Sequence, residues 1–425
     1  MTNELDKISN IPGHIMDQIL SCLPIKEAVR TSILSRKWRY KWSSLPKLVF
    51  DNQCTVATGV PSLQPSPNEN LVKIIDEVLL LHTGTIQKFM LSHKRFYATS
   101  NIDHWILHLS RVSVKEIVLH IWKGNYYKIP TTLFNFQDLT HLELLRCVVK
   151  IPSTFEGWKN LKTLYLSQVK LSPDELEALI SRCPLLKNLS LLKGTEQVNI
   201  KACNLEWLSL RGRFQDVDFG VMNCLKSVTI GFSDDMANKR GPDNANLSNL
   251  QKIFRNLPNI QSLKLEDYSL KYLAVGNVPQ TLPDELVHLK HLFLCIDFNN
   301  VDEILTVMCL IKRSPQLKQV DFQSRAENQQ TEWIRTMADF WEDHQSYCLE
   351  QVQVVSMSGI CGSMPELEIM KFLLACLPKL RTMTIRPNSM SGEGKLFREL
   401  LRFRRASAQA EVIFLDPVDS EAKPH

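Results

Sequence analysis

The residues of this sequence whose types and spacing could do chemistry are paired histidines, a glycine-flanked lysine, scattered cysteines and a run alternating basic with aromatic side chains. His104 and His108 stand four apart on a helical stretch, and His288 and His291 stand three apart entering a strand. A zinc site needs Cys, His or carboxylate partners at short spacing, and neither pair has them, so both read as surface or packing histidines. SGEGK, Ser391 to Lys395, lacks the spacing and the strand-to-helix setting of a phosphate loop and reads as a turn before a helix. No G-x-S-x-G nucleophile turn occurs. The cysteines number eleven, with no C-x-x-C pair, and the N-terminus MTNELDK lacks the apolar core of a signal peptide. Reduced, mostly buried thiols are expected. The expectation is a protein with no metal, no cofactor and no catalytic residue of its own.

Arg36 to Trp42, RKWRYKW, interleaves cations with aromatic rings as a nucleic-acid platform would. Leu34, Trp38 and Trp42 nevertheless recur every four residues, which places the rings on an apolar helix face and the charges on a solvated one. Composition agrees: 44% hydrophobic and 22% charged residues describe an ordinary globular chain, and 50 basic against 45 acidic residues is a weak positive bias. No apolar run approaches the roughly 20 residues of a membrane span. Nucleus and cytoplasm both stay open.

The elements that carry this run begin at Ile11. Asn10 can cap a helix starting at Pro12, with Ile11, Ile15, Ile19 and Leu23 along one stripe. Pro24 ends it and opens a second helix, Ile25 to Ser32, and a third begins near Ser35. Three short helices bury too little apolar surface to stand alone, since domains below ~40 residues usually need a metal, disulfides or a partner. The unit reads as half of an interface.

Ile11-Pro12, Leu23-Pro24 and Leu34-Ser35 to Trp38 resemble the two Leu-Pro pairs and the LS..W segment of an F-box, with Ile11 the one departure. That resemblance implies docking on a Skp-type adaptor, and through it on a cullin-RING ubiquitin ligase. It places Ile11, Pro12, Ile15, Leu20, Leu23, Pro24, Val29 and Trp38 at or beside the adaptor surface.

Beyond a Pro- and Ser-rich stretch, Val60 to Asn68, an amphipathic helix from Glu69 to His82 could cap an array. Apolar triplets spaced L..L.L then start at residues 86, 114, 139, 161, 186, 205, 225, 260, 289, 317, 349 and 380, mostly near the 20 to 29 residue period of leucine-rich repeats. Pro184, Pro258, Pro315 and Pro378 each stand two residues before a triplet, where proline stops a helix and forces extended geometry. Ser172 and Glu175 form a capping box around Pro173. The expected fold is α/β: a small three-helix F-box, then an irregular leucine-rich-repeat horseshoe of parallel strands with outer helices. From about Tyr347 the chain resembles the FBD region of many plant F-box proteins, most specifically at LLRFRRASAQAEV, and would close the array with a final strand, Glu411 to Leu415. The expected domains are 1–50 F-box, 51–85 linker and capping helix, 86–346 repeats, 347–417 FBD region and 418–425 polar tail.

Strand alternation sends residues beside the second and third triplet positions to the concave face: Tyr165, Trp207, Arg211, His291, Phe293, Asp321 and Arg386. Trp, Tyr and Arg are common interface anchors. A small-molecule pocket would want a basic cluster, and Lys264, Arg211 and Arg386 are dispersed. Taken with the resemblance, the reading is a substrate-recognition subunit of a Skp-cullin-F-box ligase that binds a target protein on its repeats. The rival reading is a repeat scaffold without ligase function.

Overall fold

The computed structural model describes residues 8, 11–54, 67–193, 197–213, 216–220, 222–232, 254, 256–274, 286–325, 350–388 and 393–417. Asn10, the Pro-rich residues 60–66, most of 249–256, Leu349, Ser391 and the tail 418–425 lie outside the described residues. The chain divides into two compact units, Met1–Asn204 and Leu205–His425.

The first unit opens with α1 (Gly13–Ser21) and α2 (Ile25–Arg30). Pro12 and Pro24 take the N-cap positions, with φ of −60° and −55° and extended ψ. Pro12 thus lies one residue ahead of the first helical position expected, where its missing N–H also costs nothing. The expected third helix is corrected: Ser35 to Trp42 forms turns leading into a 3₁₀ segment, Lys41–Ser44. Trp38 N–H donates to the Ser35 carbonyl, Lys41 to Trp38 and Ser43 to Tyr40, all three residues back. Hydroxyls of Ser43 and Ser44 donate to the Tyr40 and Lys41 carbonyls, and Pro46 holds Leu45 extended, so an α-helical ladder is out-competed. The tighter turns break the every-fourth stripe. Trp38 and Trp42 are buried, and Leu34 faces out.

Six parallel strands follow in sequence order: Lys47–Asp51, Lys88–Ser92, Glu116–His120, His141–Leu145, Thr163–Ser167 and Asn188–Leu192. Each begins two residues after the first apolar position of a triplet, and the second and third positions point into the core. Leu45, Leu48 and Phe50 make such a triplet too, so a strand precedes the one expected from Ile86. Three successive strands are each followed directly by a left-handed residue, Arg146, Gln168 and Lys193, which turns the chain out of the ladder at one offset.

α3 (Pro67–Leu81), α4 (Asn101–Leu109) and α5 (Pro173–Ser181) are helical as their apolar periodicity requires. The α5 box is complete: Glu175 N–H donates to Ser172 Oγ at 3.2 Å, and Ser172 N–H to Glu175 Oε2 at 2.8 Å. Strict alternation of strand with helix is corrected between Glu116 and Ser167. There a 3₁₀ turn, Thr131–Asn135, and a cluster of Phe134, Phe155 and Trp158 fill the core side. Intervals of 25 and 22 residues, cut by Pro130 and Pro152, leave no length for an α-helix. Gly157 lets this corner close: its φ is +106°, and a Cβ there would stand 2.0 Å from the Arg182 carbonyl oxygen.

Among the described residues the second unit carries a ladder of eight parallel strands, again paired in sequence order: Trp207–Gly212, Ser227–Phe232, Ser262–Asp267, His291–Ile296, Gln319–Ser324, Val354–Ile360, Thr382–Pro387 and Glu411–Phe414. The triplet expected at Leu349 is corrected to Val352, Val355 and Met357, all buried. One recurring contact proves the phase. Ahead of the strands that start at Ser227, Ser262, His291, Gln319, Val354 and Thr382 two consecutive N–H groups share one carbonyl of the preceding repeat, for example Lys318 and Gln319 on Lys290, then Gln353 and Val354 on Lys318, then Arg381 and Thr382 on Gln353. Helices Ser269–Ala274, Val301–Lys312, Met364–Cys376 and Glu393–Arg402 join the strands. The SGEGK stretch, expected as a turn ahead of the last helix, is corrected in part: Glu393 to Lys395 already form that helix's first turn.

Candidate functional site

The first candidate surface lies on the N-terminal helices. Met16 and Leu20 of α1 turn inward with Ile25 and Ala28 of α2, so Ile15 and Ile19 are left outward. Beyond α2, Ile33 is 88% exposed, with Leu34 and Tyr40 also outward. Of the residues expected at this surface, Pro12 and Ile15 are exposed, and Ile11, Leu23, Pro24 and Val29 are half-buried. Leu20 and Trp38 are interior, and the Trp38 indole N–H donates to the Ile8 carbonyl at 3.2 Å. These two hold the surface in shape rather than form it. Leu34, expected on an apolar helix face with Trp38 and Trp42, is exposed instead, and Ile33 and Tyr40, which lie off that stripe, are exposed as well. Arg36, Lys37 and Arg39 surround them, exposed. Lys41 is tied to Asp17 of α1 at 3.1 Å.

This surface is held rigidly on the strands of its own unit. The Ser43 carbonyl accepts Thr83 N–H at 2.9 Å and Gly84 N–H at 3.3 Å, and His82 Nε2 contacts the Leu45 carbonyl at 2.9 Å. Gly84 passes so close to Ser44 that a Cβ would sit 2.9 Å from its backbone.

The second candidate surface is the open face of the strands, where side chains alternate with the buried triplets. All seven residues expected there are half-exposed and on this face. Tyr165 belongs to the first unit, the other six to the second. In the first unit Tyr165 meets the His141 ring edge-on at 5.6 Å between centroids. Beside it runs a relay that sequence reasoning missed: Ser92 Oγ to His120 Nδ1 at 2.8 Å, His120 Nε2 to Glu143 Oε1 at 3.0 Å, and His141 Nε2 to Glu143 Oε2 at 3.6 Å. Burial alone would raise Glu143, but hydrogen bonds from both imidazoles and their charges outweigh it and hold the carboxyl at about 2.

A second relay stands in the other unit. Ser262 Oγ lies 3.3 Å from His291 Nδ1, His291 Nε2 lies 2.6 Å from Asp321 Oδ2, and Gln319 donates to both Asp321 oxygens. Burial again pushes the carboxyl up, and the imidazole and amide bonds bring Asp321 below its usual range. The signal for both relays was available, since each member occupies the same alternating position on adjacent strands. Phe293 carries Lys264 over its ring at 6.0 Å. Arg211 sets two nitrogens against the Glu266 carboxylate, at 2.6 and 2.9 Å, across Gly231.

Hydroxyl, imidazole and carboxylate are the groups of a hydrolytic triad, but the geometry is wrong for one. The imidazole turns Nδ1 to the hydroxyl and Nε2 to the acid, the reverse of a triad. Ser92 sits in the ladder in register with His120, not on a strand-to-helix elbow that would offer an oxyanion site. The relays lock side chains of neighbouring strands into one pattern. Such a face can recognise another surface.

The F-box domain model matches residues 8–50, and the model for the leucine-rich repeats of FBD-associated F-box protein At5g56370 matches residues 102–322. F-box/FBD/LRR-repeat protein At1g13570 of Arabidopsis thaliana is 38% identical over 416 residues, covering 96% of this chain and 98% of its own. F-box/FBD/LRR-repeat protein At5g56420 is 24% identical, covering 97% and 100%, and putative F-box/LRR-repeat protein At3g42770 is 23% identical, covering 96% and 80%, both from the same plant.

Proposed function

This chain belongs to the plant F-box/FBD/leucine-rich-repeat family, and from that premise we propose that it is the substrate-recognition subunit of a Skp-cullin-F-box ubiquitin ligase. Residues 1–50 dock a Skp-type adaptor, and the repeats with the FBD region, 86–417, hold a target protein on their open face. The observation that carries the reading is the apolar set Ile15, Ile19, Ile33, Leu34 and Tyr40, exposed on a unit otherwise packed around Leu20, Trp38 and Trp42. We read these exposed apolar side chains as the adaptor-facing set. Burial of both tryptophans leaves Tyr40 as the ring of Arg36 to Trp42 that faces solvent, too little for a base-stacking platform.

Catalysis is positional. The joint at Ser43, Thr83 and Gly84 ties the adaptor-docking helices to the strands of their own unit, and a target bound on the repeats is brought to a ubiquitin-loaded enzyme held by other subunits. In the second unit the target-facing candidates are Trp207, Arg211, His291, Phe293, Asp321 and Arg386, and in the first unit, taken by itself, Tyr165. No residue of this chain does bond chemistry in that scheme.

The test is retention of a purified Skp-type adaptor by the full chain, wild type against Ile19→Asp/Ile33→Asp. Strong retention lost in the variant supports the ligase reading. Equal, negligible retention in both leaves a repeat scaffold instead.

A further inference from the structure

Arg386 lies on strand Thr382–Pro387 with its side chain on the open face. Its Nε–H is buried and has no hydrogen-bond partner, and among the described residues no carboxylate pairs with its guanidinium. Arg146 and Arg325 bury an Nε–H in the same way, but their terminal nitrogens are engaged, and Arg211 sets its Nε 2.6 Å from a Glu266 carboxylate oxygen. Arg146 donates to the Trp122 and Gly124 carbonyls, Arg211 to Glu266, and Arg325 to Glu303 and the Asp267 carbonyl. Native structures leave few buried polar groups unmet, and a guanidinium with an interior Nε–H and no anion is costly unless something arrives to meet it.

The surroundings define what fits. Directly across the ladder stands Ser358, whose hydroxyl is spent on the Phe322 carbonyl at 3.2 Å. Asp321, two strands away, is taken by His291 and Gln319. Glu411 pairs in register with Thr382, four residues back along the strand, roughly 13 Å at ~3.3 Å per residue. On the open face the two flanking strands present Val354, Ser356 and Ser358 on one side and Glu411 and Ile413 on the other, with no second cation. One planar guanidinium matches the single charge and paired oxygens of a carboxylate, whereas a dianionic phosphoryl group would call for a further cation.

We propose that Arg386 is an anchor for an aspartate or glutamate side chain of the target segment, clasped by the unpaired guanidinium on the open face of the FBD strands. This rests on the reading that targets bind the open face.

The test uses the full chain with its adaptor, overlaid on a synthetic array of 11-residue peptides with varied flanks and Glu, Gln or phosphoserine at the centre. Wild type and the variants Arg386→Gln and Arg386→Lys are compared, each first shown to unfold at the wild-type temperature. The proposal expects Glu-centred peptides to be retained at least ~10-fold over their Gln counterparts, with that preference gone in Arg386→Gln and weakened in Arg386→Lys. Preference for Glu that survives Arg386→Gln would overturn it. Retention of Glu and Gln series alike would also overturn it while leaving the open face as a peptide surface. Phosphoserine retained best, in an Arg386-dependent way, would replace the carboxylate by a phosphoryl group. No retention of any series sinks the anchor, and the adaptor experiment then judges the ligase reading separately.

Discussion

Replacing Ile33 by Ala should weaken adaptor binding and leave the fold untouched, and both halves of that statement come from one number. Ile33 is 88% exposed, so almost all of its side chain is available to a partner and almost none supports the folded chain. Ile→Ala removes three carbons, worth ~2.4 kcal/mol at about 0.8 kcal/mol per buried CH₂. Scaled by the exposed share this is about 2 kcal/mol, or roughly 30-fold in Kd at 1.4 kcal/mol per tenfold. Thermal unfolding of the variant should stay within about 0.5 kcal/mol of wild type, as for surface positions generally. Leu20 supplies the contrast, since it is fully buried. Leu20→Ala should cost about 2–5 kcal/mol of stability and reduce adaptor binding only through the folded fraction. Titration calorimetry with purified adaptor gives Kd, and urea unfolding gives stability. Ile33→Ala binding within about threefold of wild type, at unchanged stability, would refute the reasoning that exposed apolar side chains here form the adaptor contact.

Glu303 is fully buried against Arg325 at 2.6 Å, so Glu303→Gln should destabilise by about 3–5 kcal/mol by stranding the cation, and adding Arg325→Met should recover much of it in urea unfolding. Glu143 is held at about 2 against its ordinary 4.5, so its contribution is present above pH ~4.5 and lost as pH falls towards 2; between pH 5 and 2 wild type should lose about 2 kcal/mol more stability than Glu143→Gln. Equal losses would mean that His120 and His141 do not hold the carboxylate. Gly157→Ala should cost more than ~4 kcal/mol or abolish soluble folding, because the added Cβ meets the Arg182 carbonyl in a left-handed backbone; a melting temperature within a few degrees of wild type would contradict that.

Much of the architecture was legible because strand alternation and repeat period are local properties. A triplet such as Leu161, Leu164 and Leu166 marks its strand by spacing alone, and Ser172, Pro173 and Glu175 announce a helix start by capping chemistry. The triplet at Leu349 was out of phase by three because an equally apolar Val352, Val355 and Met357 overlaps it, and only the shared carbonyl of Lys318 decides between them. The missing third N-terminal helix failed for a related reason. Serine hydroxyls, Pro46 and the burial of Trp38 against the Ile8 carbonyl act together, and a four-residue periodicity cannot register that competition.

The functional surfaces divide along the same line. By itself the sequence determined the family, the parallel repeat fold and which side chains stand on the open face, since those depend on residue type and period. Tertiary structure decided which of them are spoken for. It put Leu20 in the core and Ile33 on the surface, joined Ser92, His120 and Glu143 from three strands 23 to 28 residues apart, and left Arg386 without an anion among the described residues where Arg211 has one. Pairing across strands depends on register and on what the neighbouring repeat contributes, and neither is written in the spacing of any single repeat.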